Sequence, residues 1–277
     1  MIKRKINSLS LTAIEESGQC FRWKRVEGGY RIIAHGRILY ALQKEKTGEI
    51  TFSCHKKEFD QVWTPYFDLN TDYQTIIRMI PKEDTHLRAA AKYGKGIRIL
   101  HQDPWETLIT FLISQRKNIP AIKQSVEKLC ALAGAVIEEN EGEVIHAFPT
   151  PQEMNRLSMD DLLSCSLGYR AKYIKSAAEY FCKDGARIKN YEVMDDDALL
   201  DALCELFGVG KKIALCTMLF GFHRLNAFPV DVWIDRACCE HYPNGFPIET
   251  YAPYAGVMQQ YLFAYERYLA QKQKGQR

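Results

Sequence analysis

Two hydrophobic periodicities divide the chain. In its first part, apolar and aromatic residues come in short runs: Phe21-Arg22-Trp23-Lys24-Arg25, Tyr30-Arg31-Ile32-Ile33-Ala34, Ile38-Leu39-Tyr40-Ala41-Leu42 and Ile50-Thr51-Phe52-Ser53-Cys54. Glu27-Gly28-Gly29, His35-Gly36 and Thr47-Gly48 punctuate them. Short branched and aromatic runs joined by tight turns predict an antiparallel meander. One face of such a sheet has to be covered, so a helix is expected behind it. From Asp72 onward the apolar residues recur at helical spacing, in segments of about 10–15 residues. Pro81 stops the first segment, and Asp84-Thr85 caps the second. In Asp103-Pro104-Trp105-Glu106, Asp103 suits an N-cap, Pro104 suits the first helical position and Glu106 can complete a capping box. Ile119-Pro120 opens the next helix, and further helices are expected over YRAKYIKSAAEYF, around Gly208 and over residues 250–271, followed by a frayed tail, QKQKGQR. The fold class is therefore α+β: an antiparallel sheet domain with helices over residues 1–85, then a helical domain over 86–277.

Composition narrows the class without naming a partner. With 47% hydrophobic and 26% charged residues in 277, the chain is neither disordered, collagen-like nor a coiled-coil rod. A net charge of +3 neither shows nor excludes a nucleic-acid partner, so any electrostatic footprint has to be local. The nine cysteines include no CxxC pair and no zinc-finger spacing, and no compact run of four suits an iron–sulfur cluster. They read as reduced, mostly buried thiols of a cytoplasmic protein. The basic start has no apolar stretch behind it, and the longest apolar run, Ile213 to Phe222, is about half the ~20 residues needed to span a bilayer. No membrane association is expected. The acidic segment EENEGE (138–143) reads as a solvated loop, turned away from DNA if the protein binds any.

Chemistry concentrates late in the chain. Leu206-Phe207-Gly208-Val209-Gly210-Lys211-Lys212 lies between two helical patterns, as a helix–hairpin–helix. Both glycines can take left-handed angles, and the N–H groups of Gly208, Gly210 and the next helix start can face a phosphate. The same segment can also be a plain corner between helices. Nineteen positions beyond Lys212, Phe228-Pro229-Val230-Asp231-Val232-Trp233 reads as a helix entry with Asp231 at or near the N-cap. A capping role is sufficient reason for that aspartate on its own.

Taken together, hairpin, lysine and Pro-Val-Asp resemble the helix–hairpin–helix DNA glycosylases with a Gly-Pro/Val-Asp loop (HhH-GPD). The likeness extends to Gly18-Gln19-Cys20-Phe21-Arg22-Trp23, Gln102-Asp103-Pro104-Trp105-Glu106, Leu167-Gly168-Tyr169-Arg170-Ala171-Lys172-Tyr173 and Ala255-Gly256-Val257-Met258-Gln259. It points to the 8-oxoguanine DNA glycosylase/lyase branch, in a prokaryotic-like form, and spans residues 18 to 267.

The resemblance implies base-excision repair on double-stranded DNA, with the target nucleotide flipped out. Lys212 becomes the nucleophile, forming a Schiff base that leads to strand cleavage, and Asp231 stabilises positive charge on the sugar. The backbone carbonyl of Gly18 accepts the N7–H that distinguishes 8-oxoguanine from guanine. Gln259 reads the Watson–Crick edge, and Cys216 and Phe263 sandwich the base. Tyr169 wedges at the kinked step, Arg170 reads the orphaned cytosine, and Lys211 contacts phosphate. Three positions depart from the better-known eukaryotic pattern. Arg116 stands where asparagine fills the vacated space, Ala121 replaces a second cytosine-reading arginine, and Trp233 replaces a histidine. With one of two cytosine readers missing, the resemblance implies relaxed discrimination of the opposite base, while Trp233 puts a phosphate or catalytic-network contact in question and leaves the core chemistry intact. The family's hairpins often hold a structural cation on backbone carbonyls, here those of Cys204, Leu206 and Val209; no other cofactor and no iron–sulfur cluster is implied. A monomer is expected. Two other functions stay open: an alkylbase glycosylase, which would keep the aspartate but lack Lys212, and a non-catalytic DNA-binding module, which would need none of Lys212, Asp231, Gln259 and Phe263.

Overall fold

The computed structural model describes residues 1–44, 47–140, 142–185 and 187–275. The expected meander is present as β2 (Trp23–Val26), β3 (Gly29–Ala34), β4 (Arg37–Gln43) and β5 (Glu49–Phe52). A further strand, β1 (Ile2–Lys5), pairs antiparallel with β5, so the sheet order is β1-β5-β4-β3-β2. Three of the four residues of β1 are basic, which hid the strand in the sequence; its alternation of half-buried Ile2 and Arg4 with exposed Lys3 and Lys5 is the edge-strand pattern. The expected cover is α1 (Leu11–Glu16) together with the helical segment 56–66. Leu11, Ile14, Phe59, Trp63, Tyr66 and Phe67 share one core with the sheet residues Trp23, Ile32, Leu39, Ile50 and Phe52.

The helical part opens with α2 (Tyr73–Arg78), capped by Asp72, and α3 (Thr85–Tyr93), capped by Asp84. In α4 (Pro104–Ser114) the Glu106 N–H donates to Asp103 Oδ1 at 2.8 Å, as expected. The expected capping box does not close. Instead the Glu106 side chain lines a small cavity with Arg22 and Cys20, where desolvation pushes its carboxyl up to about 7. After α5 (Ile119–Ala133) the expected acidic loop is a β-hairpin, β6 (Val136–Asn140) and β7 (Glu143–His146), with Glu141 outside the described residues. Glu143 accepts from Arg31 at 2.6 Å and Lys24 at 3.0 Å, which holds its carboxyl down at about 2 and docks the hairpin on β2 and β3.

Next come α6 (Ala171–Cys182), α7 (Asp196–Cys204), α8 (Lys211–Phe220), α9 (Val232–His241) and α10 (Ala255–Gly275). The expected single helix over 250–271 is broken at Ala252-Pro253, leaving a short turn, Ile248–Tyr251, ahead of α10. Helix α10 runs on through Gly275 into the segment expected to fray; Gln276 and Arg277 lie outside the described residues. A second, larger core holds this part together. It also takes in Phe21 from the loop before β2 and Tyr73, Ile76 and Ile80 from around α2. All nine cysteines are free thiols, five of them buried. Among the described residues no helix is long and apolar enough to cross a membrane.

Candidate active site

A cavity of about 470 Å³ opens where the loop before β2 meets α4, α8, α9 and α10. Helical spacing fills it in pairs. Lys212 and Cys216 lie four residues apart on α8, and Gln259 and Phe263 four apart on α10, so each pair shares a helix face. Asp231 joins them as the N-cap of α9, its Oδ1 accepting from the N–H groups of Trp233 and Ile234 at 3.0 Å each. Gly18 arrives from the other end of the chain with a φ of +76°, and a Cβ there would stand 3.2 Å from the Phe263 ring. That close approach in a left-handed conformation is what glycine supplies.

The surrounding residues hold this arrangement. Gln19 donates to Ser17 Oγ and the Arg98 carbonyl and accepts from Leu100 N–H, and Gln260 donates to the Ser17 carbonyl at 2.7 Å, tying α10 to the Gly18 loop. Lys212 Nζ sits 5.1 Å from the centroid of Phe111, which is edge-on to Phe21 and stacked on Phe220. Burial pushes the Cys216 thiol up, so it presents a neutral, polarisable wall. Gln259 is nearly enclosed, with 5% of its surface exposed. Its Nε2 donates to the Pro229 carbonyl at 3.0 Å, which orients the amide, and its buried Oε1 has no hydrogen-bond partner among the described residues. A buried acceptor left unpaired costs about 1–3 kcal/mol, so this oxygen is poised for a donor on a ligand.

Phe21, Phe111, Ser114 and Lys117 also line the cavity and escaped the sequence reading. Phe21 and Phe111 were indistinguishable from core residues in their local patterns. Gln115 was missed as well. Its Nε2 donates to the Gly208 carbonyl at 3.2 Å, and its own carbonyl accepts from the Arg170 guanidinium, with Nε at 2.9 Å.

The residues expected to touch DNA lie mostly outside the cavity; Arg116, exposed and with a φ of +50°, is the one that lines it. Tyr169 is exposed, with the Arg170 guanidinium 4.6 Å from its ring centroid. Arg170 itself is buried and donates to the carbonyls of Gln115 and Leu167. Lys211 is exposed at the start of α8, and Trp233 is half-buried in the first turn of α9. Cys204 ends α7, and Leu206 and Val209 are buried in the hairpin, where the Leu206 carbonyl accepts the Val209 N–H at 3.0 Å.

The two hairpin glycines do different work, and only Gly208 takes the left-handed angle open to both. Gly208 has a φ of +86° and packs under Tyr173, whose ring would lie 2.3 Å from a Cβ. Gly210 has an ordinary φ of −93°, faces open space and leaves the first turn of α8 without a side-chain cap. Those free N–H groups, with no side chain in front of them, suit an anion. Gly208→Ala is therefore expected to destabilise the fold by about 2 kcal/mol or more. Gly210→Ala should fold normally but bind duplex several-fold more weakly. Paired thermal melts and duplex titrations check both; equal effects of the two variants on stability would contradict the assignment.

Comparison with known proteins agrees with this geometry. Residues 1–108 match the family model described as 8-oxoguanine DNA glycosylase, N-terminal domain, and residues 109–247 match the HhH-GPD superfamily base excision DNA repair protein model. A probable N-glycosylase/DNA lyase of Methanothermobacter thermautotrophicus is 28% identical over 299 residues, covering 95% of each chain. The structure of MBOgg1 in complex with a low-affinity DNA ligand superposes with a TM-score of 0.90 at 33% identity, over 97% of this chain and 96% of that one. The Clostridium acetobutylicum 8-oxoguanine glycosylase/lyase, in complex with double-stranded DNA containing cytosine opposite 8-oxoG, gives a TM-score of 0.89 at 32% identity, over 96% and 94%. The chain belongs to the HhH-GPD superfamily of base-excision DNA repair proteins and, within it, to the 8-oxoguanine DNA glycosylases, bifunctional N-glycosylase/DNA lyases.

Proposed function

We propose that Lys212 and Asp231 carry the excision of 8-oxoguanine flipped from duplex DNA into this cavity. The carrying observation is that Gln259, whose buried Oε1 is without a hydrogen-bond partner among the described residues, lines the same cavity as Lys212 and Asp231. A guanine-type base presents N–H donors on its Watson–Crick edge, which would satisfy that oxygen. The base lies between Cys216 and Phe263, and the Gly18 carbonyl accepts its N7–H. Guanine has a lone pair at N7 and would meet repulsion there.

The Lys212 amine, once it has given up its proton, attacks the anomeric carbon through its nitrogen lone pair. The glycosidic bond breaks, and its electron pair leaves with the base, which takes up a proton. The Asp231 carboxylate stabilises the positive charge that builds on the sugar. The nitrogen gives up a proton, and its lone pair forms the C=N bond as the C1′–O4′ bond breaks; O4′ keeps that electron pair, takes up a proton and becomes the C4′ hydroxyl of the ring-opened Schiff base. Removal of a C2′ proton then expels the 3′ phosphate, nicking the strand.

Outside the cavity, Lys211 and the N–H groups after Gly210 hold phosphate, Tyr169 wedges at the kink, and Trp233 contacts the backbone beyond Asp231. A hard cation fits the hairpin, held by the carbonyls of Cys204, Leu206 and Val209, since the Leu206 carbonyl retains a lone pair beyond its bond to Val209. It would supply positive charge behind the phosphate site. One chain provides every cavity residue, which supports action as a monomer; base-excision repair acts on the cell's own DNA, which supports a cytoplasmic place of action.

Borohydride trapping on an 8-oxoguanine duplex tests this reading: a covalent adduct is expected. Base release without an adduct would indicate a monofunctional glycosylase, and binding without release a non-catalytic module. The opposite base should matter little. Arg116 and Ala121 replace two of the eukaryotic contacts, and Arg170 is occupied by backbone carbonyls. A bidentate arginine–base contact contributes about 1–3 kcal/mol of discrimination, and its loss should bring cleavage opposite cytosine and adenine within about tenfold. Single-turnover rates on the two duplexes check this, and a difference of several orders of magnitude would refute it.

A further inference from the structure

Away from the cavity, α3, α9 and α10 bring His86, His241 and Glu266 together, with one ligand atom of each lying within 4.8 Å of the others. We infer that this cluster is a binding site for one divalent transition-metal ion, Zn(II) being the occupant its donors favour. Two imidazoles and a carboxylate are a familiar zinc donor set, leaving a fourth position for water.

The geometry is close to closed. His86 Nε2 and Glu266 Oε1 are 2.9 Å apart, and the two imidazoles stack with centroids 3.5 Å apart and planes 20° from parallel. Tetrahedral zinc with bonds near 2.0–2.1 Å needs donor spacings of about 3.3 Å, so a rotation of one ring completes the site. His241, the last residue of α9 and the most exposed of the three side chains, is the ring free to turn.

The local charge favours a cation. Glu266 is 4% exposed, and its carboxylate is held by His86, a weak counter-charge for a buried acid. Asp84 lies close by, its two oxygens taken by the Tyr242 hydroxyl at 2.9 Å and the Tyr251 hydroxyl at 2.6 Å. Glu240 stands 3.9 Å from His241 at the rim, and Tyr265 packs against His86.

The location gives the ion a structural consequence. Glu266 lies one turn beyond Phe263 on α10, and His241 ends the helix that Asp231 begins. A bound ion would pin the far end of α9 to α10, about 15 Å along α9 from the catalytic carboxylate.

The test uses untagged, chelator-treated full-length protein with Zn(II) and Co(II) as probes. One equivalent of Zn(II) is expected to bind, with the thermal midpoint rising as zinc is added. Co(II) should give only the weak visible bands of nitrogen and oxygen ligation. His241→Ala, with a metal-free midpoint near that of the parent, should bind at least tenfold more weakly, as should the isosteric Glu266→Gln. No uptake, unchanged affinity in His241→Ala, or a strong thiolate-to-cobalt band placing the ion on cysteines would each overturn the assignment.

Discussion

Lys212→Gln is expected to abolish both base release and the borohydride adduct, while duplex binding stays within a few-fold of the parent. Losing the nucleophile should lower the excision rate by roughly 10³-fold or more. Glutamine keeps much of the side chain's length beside Phe111 and gives up the cation–π contact, about 0.5–1 kcal/mol, so the fold should survive. Single-turnover excision and trapping on an 8-oxoguanine duplex measure the effect. An adduct that persists in the variant would move the nucleophile to another amine, Lys211 first. Base release that persists without an adduct would mean that water attacks and that Lys212 serves only to position the lesion.

The second large effect is expected at Asp231, where two roles can be separated. Its Oδ1 accepts from two backbone N–H groups at the start of α9, a purely structural duty. The substitution Asp231→Asn would keep that acceptor, because asparagine caps about as well as aspartate. It would remove the negative charge. Excision should therefore fall by about 10²–10³-fold, the scale for losing one electrostatic contact to a transition state, with little change in melting temperature. Asp231→Ala should lose the cap as well, costing about 1 kcal/mol of stability. Single-turnover excision and thermal melts of the two variants separate the roles, and full activity in Asp231→Asn would reduce this residue to a helix cap.

Much of the site was legible because its parts are local or lie at helical spacing. The hairpin glycines, Lys212 and Asp231 sit within one stretch of chain, and their spacing carries the family resemblance. The partners Cys216 and Phe263 were legible only through that resemblance, since by pattern they are core residues. Phe111 stayed hidden for the same reason, as did Gln115, whose two backbone contacts, to Gly208 and Arg170, come from distant segments.

The devices that act over a few residues were written in the order of the amino acids alone: the tight turns of the meander and the caps Asp84, Asp103 and Asp231. Helical and strand periodicity are short-range properties, so they survive in a single string of letters. What those devices meet was fixed by folding in three dimensions. Folding turned Glu106 from its capping box toward Arg22, made a hairpin of the acidic segment on Arg31 and Lys24, and occupied Arg170 with backbone carbonyls. It also set Gly18 against Phe263 and left the Gln259 oxygen unpaired in the same cavity. Each of these depends on burial and on contacts between segments remote in the chain, where desolvation and close packing, not local preference, choose the partner.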